Sequence, residues 1–460
     1  MNKANSSNIN MLSGPLFGPM IAFAMPLIAS GVLQQSFNSV DIAIAGRFAG
    51  HNALAAVGSN GPVIGLLINM FMGLAVGTNV VIANYIGQRN RRGTGTAAGA
   101  SVFLGAVCGL VLLCITQLLA RPLLTALGTP DEVLDDAVSY LRIYALGMPF
   151  MLVYNFGAAI LRSYGDTRRP FYSLVISGFI NLFLNILFVI GLDMGVQGVA
   201  WGTVFANLAN SVYIIYVLLR EKGDAHLDTS TIRPNREELA KIARIGIPAG
   251  LQSTVFSISN VFILSSINSF GALAAAGSAA AINFELYSYF IIVAFVQTAV
   301  AFTSQNYGAG NYDRCRRVFR ISLALAVVTA IVFSAIVAWQ DKFFIGIFVS
   351  EPTVTQFAAV RISTVLLFQC IACYYEVTGA CMRGMGHSLA PALIVVFGTC
   401  VLRLVWVGFF PAGASFAQLL AVYPISWTLT DIAIFIAFRR ILARLPQKQP
   451  VPVPENAFCE

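Results

Sequence analysis

Apolar runs of about 20 residues recur along the chain, and each is long enough to cross a hydrocarbon core of about 30 Å as a helix. The chain has 460 residues, of which 57% are hydrophobic and 10% are charged. A soluble chain carries about 25% charged residues, so this composition excludes an ordinary soluble domain. A transmembrane barrel is excluded too, because its strands have about ten residues of alternating polarity. We expect an all-α polytopic membrane protein.

Twelve apolar runs are predicted to be transmembrane helices. They lie near residues 15–45, 53–85, 94–119, 137–160, 170–192, 196–219, 243–269, 277–307, 318–340, 356–382, 389–410 and 416–438. The one long polar connection follows the sixth run, so the helices fall into two sets of six. The predicted organisation is an N-terminal segment (1–14), an N-lobe (15–219), a linker (220–242), a C-lobe (243–438) and a tail (439–460).

The basic residues lie mainly in short connections, which explains the net charge of +8 without a nucleic-acid partner. With the N-terminus in the cytoplasm, the internal loops contain segments such as GQRNRRG and RCRRVFR, whereas an external loop contains the acidic PDEVLDD. This asymmetry predicts a multi-pass membrane protein with both termini in the cytoplasm. The sequence has no GxxxxGK[ST] motif, so we expect no nucleotide partner and an ion gradient as the energy source.

The two halves of the chain resemble each other in sequence. MPLIASGVLQQSFNSVDIAIAG near residue 25 matches IPAGLQSTVFSISNVFILSS near residue 247, and LRSYGDTRRP (161–170) matches MRGMGHSLAP (382–391). Each copy has six spans and starts on the same side, which predicts a parallel repeat with its axis along the membrane normal. Two such lobes can enclose a central cleft and rock against each other, although a duplication without a mechanical role would leave the same pattern.

Several segments together resemble the multidrug and toxic compound extrusion (MATE) family. They are VDIAIAGR, ALAAVG, YIGQRN, MGVQGVAWGT and the paired GDTRRP and GHSLAP, and the resemblance covers about residues 12–440. An acid in the first helix and none in the seventh is closer to the DNA-damage-inducible F branch. The resemblance implies twelve helices in two pseudo-symmetric six-helix lobes and no enzymatic activity. It also implies a protein of a bacterial or archaeal inner membrane that exports small amphipathic, often cationic organic compounds in exchange for Na⁺ or H⁺, without another cofactor. We expect it to be a monomer in the lipid bilayer.

Asp41 lies inside a long apolar run, where an ionisable residue is by default a functional hypothesis. Gln34, Asn38 and Asp41 are spaced i, i+4, i+7, so they form one polar stripe on the first helix that should face protein or water. The second copy of the repeat keeps Asn260 but has Ile263 at the position of Asp41. A structural requirement shared by both lobes would not produce this difference, whereas a site in one lobe would.

Three further polar residues of the N-lobe are expected at the depth of Asp41. Asn181 and Asn185 lie four residues apart on the fifth helix, and Thr203 lies in the sixth. Carboxylate, amide and hydroxyl oxygens suit a small hard cation, and a buried carboxyl group can instead hold a proton. We therefore predict a coupling site for H⁺ or Na⁺, and the alternative is that Asp41 simply pairs with Arg47.

The family resemblance supports the same cluster. Asp41, Asn181 and Thr203 match the cation site of the family's N-lobe, so they are the positions at which Na⁺ would bind. Asn185 departs from the family pattern, because many relatives have Asp there. A cluster with one carboxylate can still carry one H⁺, which places H⁺ slightly ahead of Na⁺ as the coupling ion.

Two acids of the second half also lie within apolar runs. Glu285 in the eighth helix would contact a cationic substrate or hold a second proton, and the alternative is a salt bridge with Arg403. Glu376 in the tenth helix matches a span in which other branches of the family have a functional acid, and its alternative partner is Arg383. Aromatic side chains would add a broad apolar surface to a substrate cleft. The candidate cleft residues are Glu285, Glu376, Arg403, Phe37, Tyr154, Phe284 and Tyr287.

Two other functions fit parts of the sequence. A flippase for lipid-linked oligosaccharides or lipids, which is a distant structural relative of the family, would need basic residues in the cleft to hold a diphosphate. Arg403 is the one basic residue plainly at mid-depth. A membrane scaffold or receptor without transport would explain neither the repeat nor the acidic cluster. The main hypothesis is a multidrug antiporter in which Asp41 couples ion entry to export.

Overall fold

The computed structural model describes residues 9–221, 226–349, 351–411 and 413–445. The predicted N-terminal segment, linker and tail therefore lie partly outside the described residues. The helices of the described part run, in chain order, α1 Phe17–Ile44, α2 His51–Gly87, α3 Arg91–Ala126, α4 Asp131–Leu146, α5 Met148–Ser163, α6 Arg168–Asn185, α7 Gly195–Arg220, α8 Arg236–Asn268, α9 Ala272–Gly308, α10 Tyr312–Trp339, α11 Asp341–Gly346, α12 Pro352–Arg361, α13 Gln369–Gly384, α14 Leu389–Val395, α15 Leu402–Gly408, α16 Phe416–Leu420 and α17 Val422–Arg444.

Short π-helical turns continue four of these helices, α1, α6, α12 and α14. They are Ala45–Ala49, Ile186–Gly191, Ile362–Leu366 and Val396–Val401. Turns of this kind are rare and interrupt the regular hydrogen-bond ladder of a helix. Those of α1 and α6 begin within four residues of Asp41 and Asn185, so the backbone of both helices is irregular beside the predicted site.

Among the described residues, ten helices are long and apolar enough to cross a membrane. Two bent pairs raise the number to twelve if each pair is one span: α4 bends by 45° into α5, and α12 with its π-helical turn bends by 40° into α13. These pairs correspond to the predicted fourth and tenth spans, which hold the same place in each half. The chain is therefore a multi-pass membrane protein with the predicted number of spans.

The two lobes approach closely where α2 crosses α8. Gly73 and Gly77 of α2 face Gly246 and Gly250 of α8, and a Cβ at Gly73 would lie 2.2 Å from the backbone N of Gly250. A larger residue would force the two backbones apart. Small residues four apart are a common means of bringing membrane helices together, because lipid tails give no hydrophobic force between helices.

A second group of interlobe contacts lies at the C-terminal end of α2. A Cβ at Gly87 would lie 2.1 Å from the carbonyl oxygen of Gln305 in α9. The Gln305 amide donates to the carbonyl of Ser163 at 2.6 Å, and the Tyr85 hydroxyl donates to Glu238 at 2.8 Å. These contacts join the lobes at the end of the bundle that carries the basic loops.

Candidate cation site

Asp41 lies on α1 just before the helix becomes irregular, and its carboxylate meets α6. Asn185 Nδ2 donates to Asp41 Oδ1 at 2.6 Å. The same amide donates to Asn181 Oδ1 at 3.3 Å, and Asn181 Nδ2 donates to Thr203 Oγ1 at 3.4 Å. One turn separates the two asparagines, so both project from the same face of α6. A continuous hydrogen-bonded chain thus joins α1, α6 and α7 within the N-lobe.

The cluster is largely shielded from solvent. Asn185 is fully buried, Asn181 exposes 6% of its surface, and Asp41 is half-buried. Asn185 Oδ1 is buried and accepts no hydrogen bond from the described residues. A buried acceptor without a hydrogen bond lowers the stability of the fold by about 1–3 kcal/mol unless a donor or a cation reaches it. The oxygens of Asp41, Asn181, Asn185 and Thr203 therefore fit either a proton or a small hard cation such as Na⁺.

Gly202 of α7 makes room for the central amide of this cluster. A Cβ at Gly202 would lie 2.0 Å from Asn185 Oδ1, so any other residue would displace the amide. Gly202 is not among the site residues predicted from the sequence. Its position directly before Thr203 was the feature of the sequence that could have identified it. A glycine next to a polar residue on a membrane helix allows a neighbouring helix to approach closely.

Two tyrosines of α4 also belong to the surroundings of Asp41. Tyr140 and Tyr144 lie one turn apart, their ring centroids are 6.0 Å apart, and both interact electrostatically with Asp41. Phenolic hydroxyls can donate to a carboxylate or to water. Neither tyrosine is among the site residues predicted from the sequence, although their spacing of i, i+4 in SYLRIY places them on one face of the fourth span.

The remaining polar predictions on α1 lie outside this network. Gln34 and Asn38 are exposed, and within the described residues no hydrogen bond joins either of them to Asp41. Arg47 is also exposed, and the ion pairs of the described part of the chain do not include one between Arg47 and Asp41. The alternative that Asp41 pairs with Arg47 is therefore wrong, and its hydrogen-bond partner is Asn185.

Two aromatic candidates of the N-lobe hold helices together. The ring of Phe37 covers Gly178 of α6, where a Cβ would lie 1.7 Å from the ring. Phe37 thus fixes α1 against α6. The Tyr154 hydroxyl donates to the carbonyl of Pro170 at 3.2 Å, which ties α5 to the start of α6. Both side chains are half-buried, and their role as cleft residues stays a prediction.

The aromatic candidates of the C-lobe differ from each other in burial. Phe284 is 6% exposed, and its ring makes edge-on contacts with Phe344 and Phe348 at centroid distances of 5.7 and 5.5 Å. Phe284 therefore belongs to the apolar core of the C-lobe, and its prediction as a cleft residue is wrong. Tyr287, three residues further along α9, is half-buried and keeps a surface that a ligand could contact.

The predicted alternative pairing of Glu285 with Arg403 is wrong, because Glu285 pairs with Arg361. Arg361 Nε donates to Glu285 Oε1 at 2.6 Å, and Arg361 Nη2 donates to Oε2 at 2.9 Å. Its remaining Nη1 donates to Ser278 Oγ at 2.7 Å. Such a bidentate arrangement is the strong form of a salt bridge. Glu285 is thus held inside the C-lobe by α12, and the predicted open contact with a cationic substrate is not supported.

Arg403 is fully buried in the C-lobe, so the prediction that it lines the cleft is wrong. Its guanidinium donates to Ser426 Oγ at 3.2 Å and to Asn260 Oδ1 at 3.3 Å. It also lies 4.4 Å from the ring centroid of Tyr423 and 5.9 Å from that of Trp427. Aromatic faces attract a cation, which offsets part of the cost of burying this charge.

Glu376 lies among polar neighbours on facing helices. It interacts electrostatically with Arg383, but no ion pair within 4.0 Å joins the two in the described part of the chain. Arg383 Nη1 instead donates to Gln252 Oε1 of α8 at 3.4 Å. Tyr289 of α9, which is 39% exposed, is also within electrostatic reach of Glu376. Glu376 remains a cleft candidate, and Tyr289 is a neighbour that the sequence reasoning missed.

Two repeated lobes of membrane spans, with a polar cluster around one carboxylate that joins α1, α6 and α7, are typical of a polytopic membrane transporter. The MatE family model matches residues 26–187 and 248–407, and the chain belongs to this family. The two matches fall in the two predicted lobes, so the family model and the internal repeat divide the chain in the same way.

Proteins of similar sequence cover most of the chain. It is 27% identical over 386 residues to the probable multidrug resistance protein YoeA of Bacillus subtilis, covering 82% of this chain and 83% of that protein. It is 26% identical over 392 residues to the probable multidrug resistance protein NorM of Thermotoga maritima, covering 84% and 83%.

Solved structures share the fold. An outward-facing conformation of a multidrug resistance MATE family transporter matches with a TM-score of 0.89 at 22% identity, covering 96% of this chain and 99% of that chain. A transporter of the same superfamily from Pyrococcus furiosus matches with the same TM-score and covers 97% and 100%. The predicted fold class of twelve helices in two lobes is confirmed, whereas the assignment to one branch of the family stays a prediction.

Proposed function

We propose that this chain is a multidrug antiporter that exports small amphipathic, often cationic organic compounds in exchange for an entering H⁺ or Na⁺. Its family and the relatives named as multidrug resistance proteins support drug export. The proposal places it as a monomer in a bacterial or archaeal inner membrane, with both termini in the cytoplasm. It assigns the chain no enzymatic activity and no nucleic-acid or nucleotide partner.

The observation that carries the ion-coupling step is the hydrogen bond from Asn185 to Asp41. An ionised Asp41 accepts this bond from Asn185 Nδ2. A protonated Asp41 carries an O–H donor, and Asn185 Oδ1 is the unused acceptor of the same amide. Asn185 can therefore serve both charge states of Asp41, which is what a residue that cycles between them requires.

Sodium is the second candidate for the coupling ion. Asp41, Asn181 and Thr203 supply a carboxylate, an amide oxygen and a hydroxyl, and these are the hard donors that Na⁺ would use. Asn185 contributes no charge, so the cluster offers one negative charge to either ion. A single carboxylate matches a single proton, and we therefore keep H⁺ slightly ahead.

The contacts between the lobes at one end of the bundle suggest the direction of transport. The contacts of Gly87 and Gln305 lie at the end of the bundle that carries the basic loops, and Asp41 lies toward the opposite end of its lobe. We infer that an ion reaching Asp41 from outside changes the packing of α1 against α6 and favours outward release of the substrate. One charge entering across 100 mV supplies about 2.3 kcal/mol, or about 40-fold in the concentration of an uncharged substrate. Exchange of one entering ion for one monovalent cation moves no net charge, so the concentration gradient of the ion drives that export.

Dye efflux from proteoliposomes tests this function. An H⁺ gradient and a Na⁺ gradient are imposed separately, and the efflux of a panel of cationic dyes is followed by fluorescence. We expect one of the gradients to drive efflux by the unmodified protein and the Asp41→Asn variant to lose it while folding normally. Asp135→Asn is the control, because Asp135 is an exposed acid of α4 paired with Arg121. Full efflux by Asp41→Asn would contradict the proposal.

A lipid-linked oligosaccharide or lipid flippase remains the alternative function. It would need basic side chains in the cleft, and Arg403 is fully buried while Arg361 is paired with Glu285. Reconstitution with a fluorescent lipid carrier separates the two functions. Movement of the labelled lipid between leaflets, without dye efflux under either gradient, would replace the antiporter with a flippase.

A further inference from the structure

A groove of about 450 Å³ lies between α10, α13 and α17, at the end of the C-lobe that carries the basic loops. Three arginines line its rim, Arg316 and Arg320 from α10 and Arg439 from α17. The rest of its lining is mainly aromatic. This groove lies away from the Asp41 cluster, and the proposed antiport mechanism does not use it.

The rim of the groove is strongly positive. Arg316 is paired with Asp313 at 2.9 Å, but Arg320 and Arg439 are exposed and form no ion pair with the described carboxylates. Asp313 is the one acid among residues 312–320 and 435–444, which also contain Arg314, Arg317, Arg440 and Arg444, and Asp431 lies one turn further into α17. Uncompensated arginines of this density attract an anion, and the planar guanidinium groups match phosphate oxygens in particular.

The wall below the arginines is apolar. The rings of Phe319 and Phe438 are 4.8 Å apart, and Phe319 also meets Tyr374 of α13 at 6.2 Å. The Arg439 guanidinium lies 5.8 Å from the ring centroid of Phe435, which is itself exposed. From this level α10 and α17 continue as apolar spans. A ligand that fills the groove must therefore be negatively charged at one end and apolar at the other.

We propose that this groove binds an anionic phospholipid of the adjacent leaflet. Its phosphate contacts Arg320 and Arg439, and an acyl chain lies along Phe435 and Phe319. Basic pockets between membrane helices at the cytoplasmic boundary recognise anionic headgroups in this way. The bound lipid joins α10 to α17, so it stabilises the C-lobe without taking part in ion coupling.

Binding of phosphatidylglycerol to the purified full-length protein tests the proposal. Phosphatidylcholine with the same acyl chains is the neutral reference, and native mass spectrometry and thermal unfolding in detergent measure binding. We expect Arg320→Gln/Arg439→Gln to weaken phosphatidylglycerol binding about 30-fold. The loss of one arginine near anionic lipid weakens binding about five-fold, and the two losses multiply. The matched control is Arg317→Gln/Arg440→Gln. It removes the same number of positive charges from the same two helices, but both residues lie outside the groove.

The outcomes are distinct. Retention of phosphatidylglycerol binding by the control and its loss by the groove variant supports the proposal. Equal losses in both variants would mean diffuse attraction to a basic surface, and equal stabilisation by phosphatidylcholine would mean that the headgroup is not recognised. Either result overturns the proposal. Equal thermal stabilisation by inorganic phosphate or glycerol phosphate alone also overturns it, because the ligand would then be a soluble anion.

Discussion

The two lobes share their helix order, but the Asp41 cluster of the N-lobe and the corresponding helices of the C-lobe carry charges of opposite sign. In the N-lobe, Asp41 accepts a hydrogen bond from Asn185. In the C-lobe, the position of Asp41 is taken by Ile263, which is 1% exposed, and Asn260 one turn earlier accepts from Arg403. A guanidinium stays charged at every working pH, whereas a buried carboxyl group can gain and lose a proton. This difference supports the proposal that ion coupling takes place in the N-lobe.

Glu285 of the C-lobe differs from Asp41 in its partner. Glu285 is held by two hydrogen bonds from Arg361, which is 3% exposed and also bonded to Ser278. Both charges of this pair are satisfied by fixed protein groups. Asp41 instead has a neutral amide as its hydrogen-bond partner, so a proton or a cation can still compensate its charge. We expect substitutions in the two lobes to affect different properties.

The largest effect should follow Arg361→Gln. This change leaves Glu285 buried without its counter-charge, which should reduce the free energy of unfolding by about 3–5 kcal/mol. Thermal unfolding in detergent and the yield of folded protein measure the loss. The double variant Glu285→Gln/Arg361→Gln should recover most of it, because no charge is then left unpaired. A stable single variant with normal efflux would contradict the structural role of this pair.

A smaller effect, confined to the N-lobe site, should follow Gly202→Ala. The new methyl group would overlap Asn185 Oδ1 and should cost about 1–3 kcal/mol in packing. We expect gradient-driven efflux to fall about ten-fold, since the displaced amide no longer holds Asp41. Gly65→Ala on α2 is the matched control, because a Cβ there meets no atom within 4 Å. Equal efflux by the two variants would show that Asn185 does not position Asp41.

The smallest effect should follow Asn185→Asp, which makes the N-lobe site differ further from the C-lobe. A second carboxylate next to Asp41 adds negative charge to the same oxygen cluster and favours a bound cation. We expect a few-fold greater stimulation of efflux by a Na⁺ gradient, relative to an H⁺ gradient, than in the unmodified protein. The two imposed gradients in proteoliposomes measure this ratio. An unchanged ratio would mean that Asn185 does not influence which ion is coupled.

The sequence by itself determined the membrane spans, the division into two lobes and the level along the N-lobe helices at which Asp41 meets Asn181 and Asn185. Apolar length and helical spacing are properties of single segments, so they can be read without knowing which helices are neighbours. The positions of Asn181 and Asn185 on one face of a span are of this kind. The absence of an acid at Ile263 was also visible, because it needs only the alignment of the two halves.

The tertiary structure alone decided which side chains meet across helices. Arg361 as the partner of Glu285, Gly202 as the space for Asn185, and the burial of Phe284 all depend on how neighbouring helices are rotated and how far they slide along each other. Periodicity shows which face of a helix is polar, but several helices of one lobe offer a partner at the same depth. Side-chain packing between those helices selects one of them, and that selection involves residues far apart in the chain.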